Sequence, residues 1–264
     1  YGDLFERVVY RTRPYETEEG AVDALHKEWL DRIQPNVKNG SFHEFKRNVA
    51  KIVEDFDNIP LTAEKKPRVA IVGEILVKYS PIANNNIVRV LENEGAEVVC
   101  PDIVGFMNYS LYNQVYKYDH LGGSKKSKVL AELAIKMIRL CEKPMNEALK
   151  NSERFDGIEA IEQIADGAQD ILSLGNQTGE GWFLTGEMVE SLQNGVNNIV
   201  CMQPFGCLPN HVVGKGVVKE LRSKYPMANI ALVDYDPSLS FVNQLNRIRL
   251  MLATAKKNMT ENVR

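Results

Sequence analysis

The chain has 264 residues, of which 44% are hydrophobic and 25% are charged, and its formal net charge is −3. This balance is typical of a globular protein that buries a core, and it lacks the basic surface that nucleic acid or an anionic membrane attracts. Because no apolar run approaches the ~20 residues that span a bilayer, we expect neither a membrane nor a nucleic-acid partner.

Residues 1–7 contain neither a signal peptide nor an initiator methionine, and we expect the chain to be cut from a longer protein. The cysteines at 100, 141, 201 and 207 form no dense disulfide framework, which favours a reducing cytoplasm. Cys201 falls in a strand pattern and Cys141 in a helical one, so both are interpreted as packing residues.

Residues 1–66 are predicted to form a helical segment. Ser41 and Glu44 have the spacing of a capping box, which begins a second amphipathic helix. The polar stretch 64–67 contains Pro67 and marks a domain boundary. One face of the first long helix is formed by Val22, Leu25, Trp29 and Ile33.

From Arg68 onward, β-rich runs alternate with helical patterns, which predicts an α/β domain over residues 67–264. The fold class that we expect is a parallel, Rossmann-like sheet flanked by helices. No dinucleotide fingerprint, P-loop or GxSxG turn is present in the sequence. Strands are predicted at 68–73, 97–100, 198–203 and 229–234, and helices at 87–92, about 106–165, 211–224 and 240–256.

Cys207 follows the third predicted strand in the turn Gln203–Asn210. Ligands of open α/β sheets bind beyond the carboxyl ends of the strands, and Gly206 and Pro209 suit a tight turn into a helix. A thiol at such a helix start is biased toward the thiolate that metal ligation and nucleophilic attack require. The alternative is a small buried residue in a turn. Cys100 also ends a predicted strand, with weaker turn chemistry.

Other polar residues follow the same strand ends. Glu74 comes directly after the first strand and is a candidate catalytic carboxylate facing the crevice. Thr178 and Glu180 open a helix whose amides would hold an anion. Asn84 and Asp234 complete the candidate cofactor-binding residues, although the Asn84–Asn86 run and the nearby Asp236-Pro-Ser sequence also fit helix caps.

Longer blocks of sequence carry a family resemblance. The resemblance is carried by residues 179–210 and 232–236, which include Gln203-Pro-Phe-Gly-Cys-Leu-Pro-Asn210. The chain resembles the 2-hydroxyacyl-CoA dehydratase superfamily, in its branch of CoA-substrate-specific enzyme activase-related proteins. Residues 13–16, 73–75 and 83–86 resemble the carboxy-terminal region of the large proteins of that branch. In those proteins an activator-like ATPase is fused upstream of a dehydratase-like part.

The resemblance implies an iron–sulfur cofactor of the 4Fe–4S type, held by cysteines from several loops, which passes one electron to a CoA thioester. Cys207 matches the cysteine of the family's Pro-Phe-x-Cys-x-Pro motif. Cys100 lies close to the position of a second ligand, and a third would come from segments absent here. The implied partners are the upstream domains of the parent protein and acyl-CoA, and a homodimer is left open.

Three functions are compatible with these observations. The first is a dehydratase-like domain that contributes Cys207 to an iron–sulfur site for one-electron transfer. The second is a docking or scaffold domain that has lost cluster ligands, because a fold alone does not establish activity. The third is a CoA-thioester-binding domain without redox chemistry. In each case we expect Glu74, Cys100, Cys207 and Asp234 to lie at one edge of one sheet.

Overall fold

A computed structural model describes residues 1–236, 238 and 241–261. The helices are α1 (Gly2–Thr12), α2 (Ala21–Asn39), α3 (Phe42–Asp57), α4 (Ile75–Tyr79), α5 (Ile87–Asn93), α6 (Ile103–Leu121), α7 (Lys125–Lys150), α8 (Ile161–Gln169), α9 (Gly181–Gln193), α10 (Leu208–Asn210), α11 (Val218–Lys224) and α12 (Phe241–Glu261). The strands are β1 (Arg68–Gly73), β2 (Glu97–Val99), β3 (Asn198–Pro204) and β4 (Asn229–Tyr235).

The chain forms two compact units, and the first is discontinuous in sequence. It combines Tyr1–Lys65 with Leu130–Ile158, while the second contains Lys66–Val129 and the chain from Glu159 onward. Helix α7 therefore begins in the second unit and continues in the first.

The first unit is a helical unit built around one apolar core. Helix α3 starts as its sequence indicates, since Ser41 Oγ accepts a hydrogen bond from the Glu44 N–H at 3.3 Å. Asn39, rather than Glu44, accepts from the Ser41 N–H at 2.8 Å, so only half of the capping box forms. The buried core residues include Leu4, Val8, Val22, Trp29, Val49, Ile52, Phe56, Met145, Leu149 and Phe155.

The second unit contains a parallel sheet, which confirms the predicted α/β fold. Within the described residues the sheet has four strands in the order β2-β1-β3-β4, and each neighbouring pair is parallel. Residues 69–72 of β1 and 199–203 of β3 are buried throughout, because helices cover the sheet. Helix α9 packs against β1, and α12 packs against β4.

Gly73, the last residue of β1, allows β1 and β3 to approach closely at the carboxyl edge. Its φ is +143°, a conformation that glycine adopts readily and other residues rarely. A Cβ at this position would lie 1.9 Å from the carbonyl oxygen of Met202 on β3. The backbone of β1 can therefore turn here only with glycine at position 73.

Two predicted helices are interrupted. The helical pattern from about 106 to 165 forms α6, α7 and α8, and α6 ends at Gly122, which has a φ of +70°. The predicted helix 211–224 is wrong as one element, because residues 211–215 form a π-helical turn between α10 and α11. Single π-turns of this kind are frequent at functional sites.

Candidate functional site at the carboxyl edge of the sheet

Candidate residues at the carboxyl ends of the four strands lie at one edge of the sheet; Asp234 is the penultimate residue of β4, and the other three follow their strands. Because all strands run parallel in the order β2-β1-β3-β4, the residues along this edge are Cys100, Glu74, Cys207 and Asp234. This arrangement confirms the predicted convergence of the four positions. Their chemical roles stay predictions.

Cys207 lies in a short turn that is tied to β3 and β4. Gly206 has a φ of +74°, and the Cys207 N–H donates to the Pro204 carbonyl at 3.1 Å. The Phe205 N–H donates to the Tyr235 carbonyl at 2.9 Å, which fixes the turn against the end of β4. The thiol belongs to a half-buried residue, so it is neither sealed in the core nor freely exposed.

His211 and Asp234 lie beside this turn. The His211 Nδ1 is 2.7 Å from the Cys207 carbonyl oxygen, which can only accept, so this nitrogen carries the proton. The Nε2 lies 3.8 Å from Asp234 Oδ1, and an ion pair forms there only when the imidazole is protonated. Gln203 Nε2 donates to the same Asp234 oxygen at 2.6 Å.

Two amide side chains of the turn keep unused hydrogen-bonding capacity. Asn210 is 0% exposed, and neither its amide oxygen nor its amide nitrogen has a partner among the described residues. The Oε1 of Gln203 is likewise buried without a partner there. Buried polar groups are nearly always hydrogen-bonded, so an ordered water or a bound ligand is the usual complement of such atoms.

Glu74 is partly committed to structure. Its carboxylate caps α4, since Oε2 accepts from the Val77 N–H at 2.8 Å, and its own N–H donates to the Met202 carbonyl at 3.0 Å. One carboxylate oxygen is thus fixed by the helix, and the side chain is half-buried. The geometry holds Glu74 at the sheet edge between β2 and β3.

The loop 176–181 borders the same edge, as the sequence predicts. Glu180 is buried, and its Oε1 accepts from the Ile75 N–H at 3.2 Å, next to Glu74. A Cβ on Gly179 would lie 3.2 Å from Pro209, which places the loop against the Cys207 turn. Thr178, in contrast, is exposed.

Asn84 has a structural role in this fold. Its amide nitrogen donates to the carbonyls of Val77 and Lys78 at 2.8 and 3.2 Å, and its Oδ1 accepts from the Ile87 N–H at 3.2 Å. Both ends of the buried amide are therefore used within the chain. This geometry matches the cap interpretation of Asn84.

A buried ion pair lies behind the site. Lys78 Nζ is 2.6 Å from Glu187 Oε1, and these side chains are only 3% and 1% exposed. Burial raises the pKa of Glu187, while the charge of Lys78 opposes the shift and Glu180 and Asp102 add to it. No local sequence pattern indicates this pair. Gln203, Asn210 and His211 were not among the predicted site residues either, although these three belong to the motif around Cys207.

The cysteines have distinct environments. Cys100 is buried, with Sγ 3.6 Å from the Pro101 carbonyl, and Cys201 is fully buried in β3, where burial raises the pKa of its thiol to about 12. Cys141 is exposed on α7, so its interpretation as a packing residue is wrong. No three or more His, Cys, Asp or Glu side chains of the described residues are placed to hold a metal ion.

Comparison with models of protein families, with curated proteins and with solved structures gives no match to this chain. In the part of the chain that the structure describes, no helix has both the length and the apolar character required to cross a membrane.

Proposed function

We propose that this chain is a dehydratase-like domain of an acyl-CoA dehydratase activase-related protein, and that Cys207 contributes to an iron–sulfur site used in one-electron transfer linked to CoA-thioester chemistry. The observation that carries the proposal is the position of Cys207, half-buried at the carboxyl edge of a parallel sheet. This edge is where open α/β sheets hold their ligands.

The polar groups around Cys207 support a ligand there. Asn210 and Gln203, which belong to the same turn as Cys207, keep buried amide atoms without partners among the described residues, so the interior of this turn is polar. His211 is anchored through Nδ1 to the Cys207 carbonyl and can present a second proton when it is charged. His211, whose side chain is partly exposed, would orient a polar or anionic group beside the thiol.

The residues of this chain do not fit a complete cluster by themselves. Cuboidal clusters normally take about four cysteine ligands, and the carboxyl edge offers Cys207 and Cys100. Cys100 follows β2 and Cys207 follows β3, and β1 lies between these two strands. The two strands are therefore about 10 Å apart, which is two strand spacings. The proposed site is therefore shared, and its other ligands come from upstream domains of the parent protein or from a partner chain.

The activity proposed for the assembled protein is that of a 2-hydroxyacyl-CoA dehydratase-type lyase or of its ATP-dependent activating reductase. Acyl-CoA is the proposed small-molecule partner. A cytoplasmic, reducing compartment is part of the proposal, because free thiols such as Cys141 and Cys207 persist there.

The docking alternative is favoured by a separate observation. The segments that follow β1 and β3 at the carboxyl edge expose large apolar side chains, as expected of a surface that another protein covers. These exposed residues are Leu76 and Ile82 after β1, and Phe205, Leu208 and Val212 after β3. A docking domain would use this apolar rim without needing any cluster.

The test is anaerobic reconstitution of the full-length parent protein with iron and sulfide, as wild type and as Cys207→Ala. The expected result is loss of bound iron and of visible absorption in the variant. Cys141→Ala is the matched control, because it removes an exposed thiol from α7. Unchanged iron content and absorption in Cys207→Ala would reject the cluster proposal.

A second pair of measurements distinguishes the alternatives. Association of the chain with the separately expressed upstream ATPase region, lost in Leu208→Ser and retained in Cys207→Ala, would establish docking. Saturable binding of acyl-CoA in calorimetry without iron would favour a thioester-binding domain. If neither occurs and iron binding depends on Cys207, the shared cluster is the remaining function.

A further inference from the structure

Helix α7 carries a row of exposed apolar side chains, which we call the α7 stripe. Its members Leu130, Leu133, Met137 and Leu140 are 56%, 57%, 55% and 60% exposed. Single exposed leucines are ordinary on protein surfaces, whereas several on one helix face indicate an interaction site. The buried residues of α7 lie on a different face and are Ala131, Ile135, Met145 and Leu149.

The spacing of the α7 stripe is that of a coiled-coil seam. The intervals between its members are three, four and three residues, which match successive a and d positions of a heptad. The stripe spans roughly 15 Å of helix and ends before Pro144. Such a seam packs knobs into the holes of another helix, which a flat or irregular surface does not provide.

The charges beside the stripe define the chemistry of the partner. With Leu130 at position a, the g positions are Lys136 and Lys143, and the e positions are Ala134 and Cys141. Both lysines are exposed, and Lys143 contacts Glu147 at 3.7 Å. The whole helix contains seven basic and three acidic residues, a net charge of +4. The flank of the seam is therefore basic.

A second copy of α7 would fit this flank poorly. In an antiparallel pair, g positions face each other, so Lys136 would meet its own counterpart near the twofold axis. In a parallel pair, g faces e, and Lys136 would lie opposite Cys141, without an acid. Neither arrangement brings an acid from the second copy opposite Lys136, whereas a helix with acidic flanking residues does.

We propose that the α7 stripe binds an amphipathic partner helix whose residues beside its apolar seam are acidic. The apolar seam supplies the buried area, and the lysines select the partner by charge. An anionic membrane is a poorer fit, because the stripe is narrow and contains no aromatic residue. The proposal is independent of any ligand at Cys207.

The test uses a fluorescein-labelled peptide of about three heptads, with Leu at a and d and Glu at e and g. A matched peptide has Lys at e and g and the same seam. Binding to the intact chain is measured by fluorescence anisotropy. The Glu peptide is expected to bind saturably, and the Lys peptide at least about tenfold more weakly.

Variants of the chain locate the interaction. Leu133→Ala is expected to weaken binding of the Glu peptide roughly tenfold, since it removes a side chain from the seam. Leu121→Ala, which shortens an equally exposed leucine on α6, is the control and should leave binding unchanged. The pair Lys136→Glu and Lys143→Glu should reverse the preference between the two peptides. Thermal unfolding of each variant verifies its fold.

Four results would overturn the proposal. Equal binding of the two peptides, or a charge reversal that leaves the preference unchanged, would remove the electrostatic argument. Self-association in sedimentation that Leu133→Ala abolishes would assign the stripe to a second copy. Binding to phosphatidylserine-containing vesicles that Leu133→Ala abolishes would assign it to a membrane surface.

Discussion

At the scale of single residues, the four cysteines show what local pattern can and cannot predict. Cys201 lies in an unbroken β-rich run, and its burial follows from that pattern. Cys141 looks like a packing residue because Met137 and Leu140 precede it, yet these apolar neighbours face outward. Periodicity identifies an apolar face of a helix, but it does not say whether the chain itself covers that face.

Alkylation of the native protein with iodoacetamide at about pH 8 should distinguish the cysteines, because the thiolate is the nucleophile. Cys141 is expected to react first because it is exposed, and Cys207 more slowly because it is half-buried. Cys201 should be protected, because burial raises its pKa to about 12. Peptide mass spectrometry measures the order in which the cysteines are alkylated. Urea-unfolded protein is the control, in which Cys201 should react. Rapid native labelling of Cys201 would contradict its burial.

His26 should make the stability of the first unit depend on pH. Its ring packs 4.8 Å from the ring of Phe5, and burial, assisted by Arg13, lowers its pKa below the ordinary 6.5. Below about pH 6.5 the unfolded chain binds the proton more readily than the folded chain, so stability falls as pH drops through this window. His26→Gln should reduce this fall, measured as thermal midpoints between about pH 5 and 8.

His43→Gln is the matched control for this prediction, because His43 is exposed on α3. The thermal midpoint of this variant should change with pH as that of the unmodified chain does. If His26→Gln and the unmodified chain lose stability in parallel as pH falls, His26 is not the titrating group.

At the scale of secondary-structure elements, strands were more predictable than helix interruptions. The four strands agree with the pattern to within a residue or so. The agreement has a clear cause in β1 and β3, because strands buried on both faces read as continuous apolar runs. The π-turn at 211–215 was not predictable from spacing. Gly216 follows it, where a Cβ would lie 2.5 Å from the Val212 carbonyl oxygen, and this close approach depends on backbone geometry.

The candidate site was predictable where chain direction alone determines position. A parallel sheet places every strand end at one edge, so Glu74 and Cys207 had to lie at the same edge; that β1 and β3 are neighbours is seen only in the structure. The pair Lys78–Glu187 joins α4 to α9 across 109 positions of sequence, and no local pattern reports such a partner. Buried pairs of this kind require the tertiary structure.

Removing one member of this buried pair should be strongly destabilising. Lys78→Met leaves Glu187 buried without its counter-charge, which typically costs roughly 3–5 kcal/mol. The double variant Lys78→Met/Glu187→Leu should recover most of this loss, because it removes both charges of the pair together. Urea unfolding measures the free energy of unfolding of the single and the double variant. The control Arg249→Gln breaks a more exposed pair with Glu94, and it should lower the free energy of unfolding by at most about 1 kcal/mol. An equal loss of stability in Lys78→Met and Arg249→Gln would contradict the prediction.

At the scale of the whole molecule, the sequence did not reveal that one unit is discontinuous. The breaker at 64–67 coincides with the change from helical to β-rich patterns. Residues 130–158 show only helical periodicity, which is the same whichever unit the helix packs in. Met145, Leu149 and Phe155 belong to the core of the first unit, and only the tertiary structure assigns them to it.

A fragment of residues 1–65 should therefore fail to fold cooperatively. It lacks three large side chains of its core, and each such loss typically costs about 2–5 kcal/mol. A peptide of residues 130–158 added in trans should restore helicity and a cooperative thermal transition, measured by circular dichroism. The control peptide with Leu149→Ala should restore much less. A sharp transition in the 1–65 fragment alone would show that its core is already sufficient.

The interleaving of the two units sets an order of events during synthesis. The helical unit is complete once residue 158 has left the ribosome, whereas β1 still lacks its neighbour β3. Until β3 emerges, after a delay of several seconds at ordinary rates of translation, the apolar run Val69–Val72 has no strand on one side. An unpaired strand edge invites pairing with other chains. The run Val69–Val72 is therefore exposed to wrong pairing until β3 emerges.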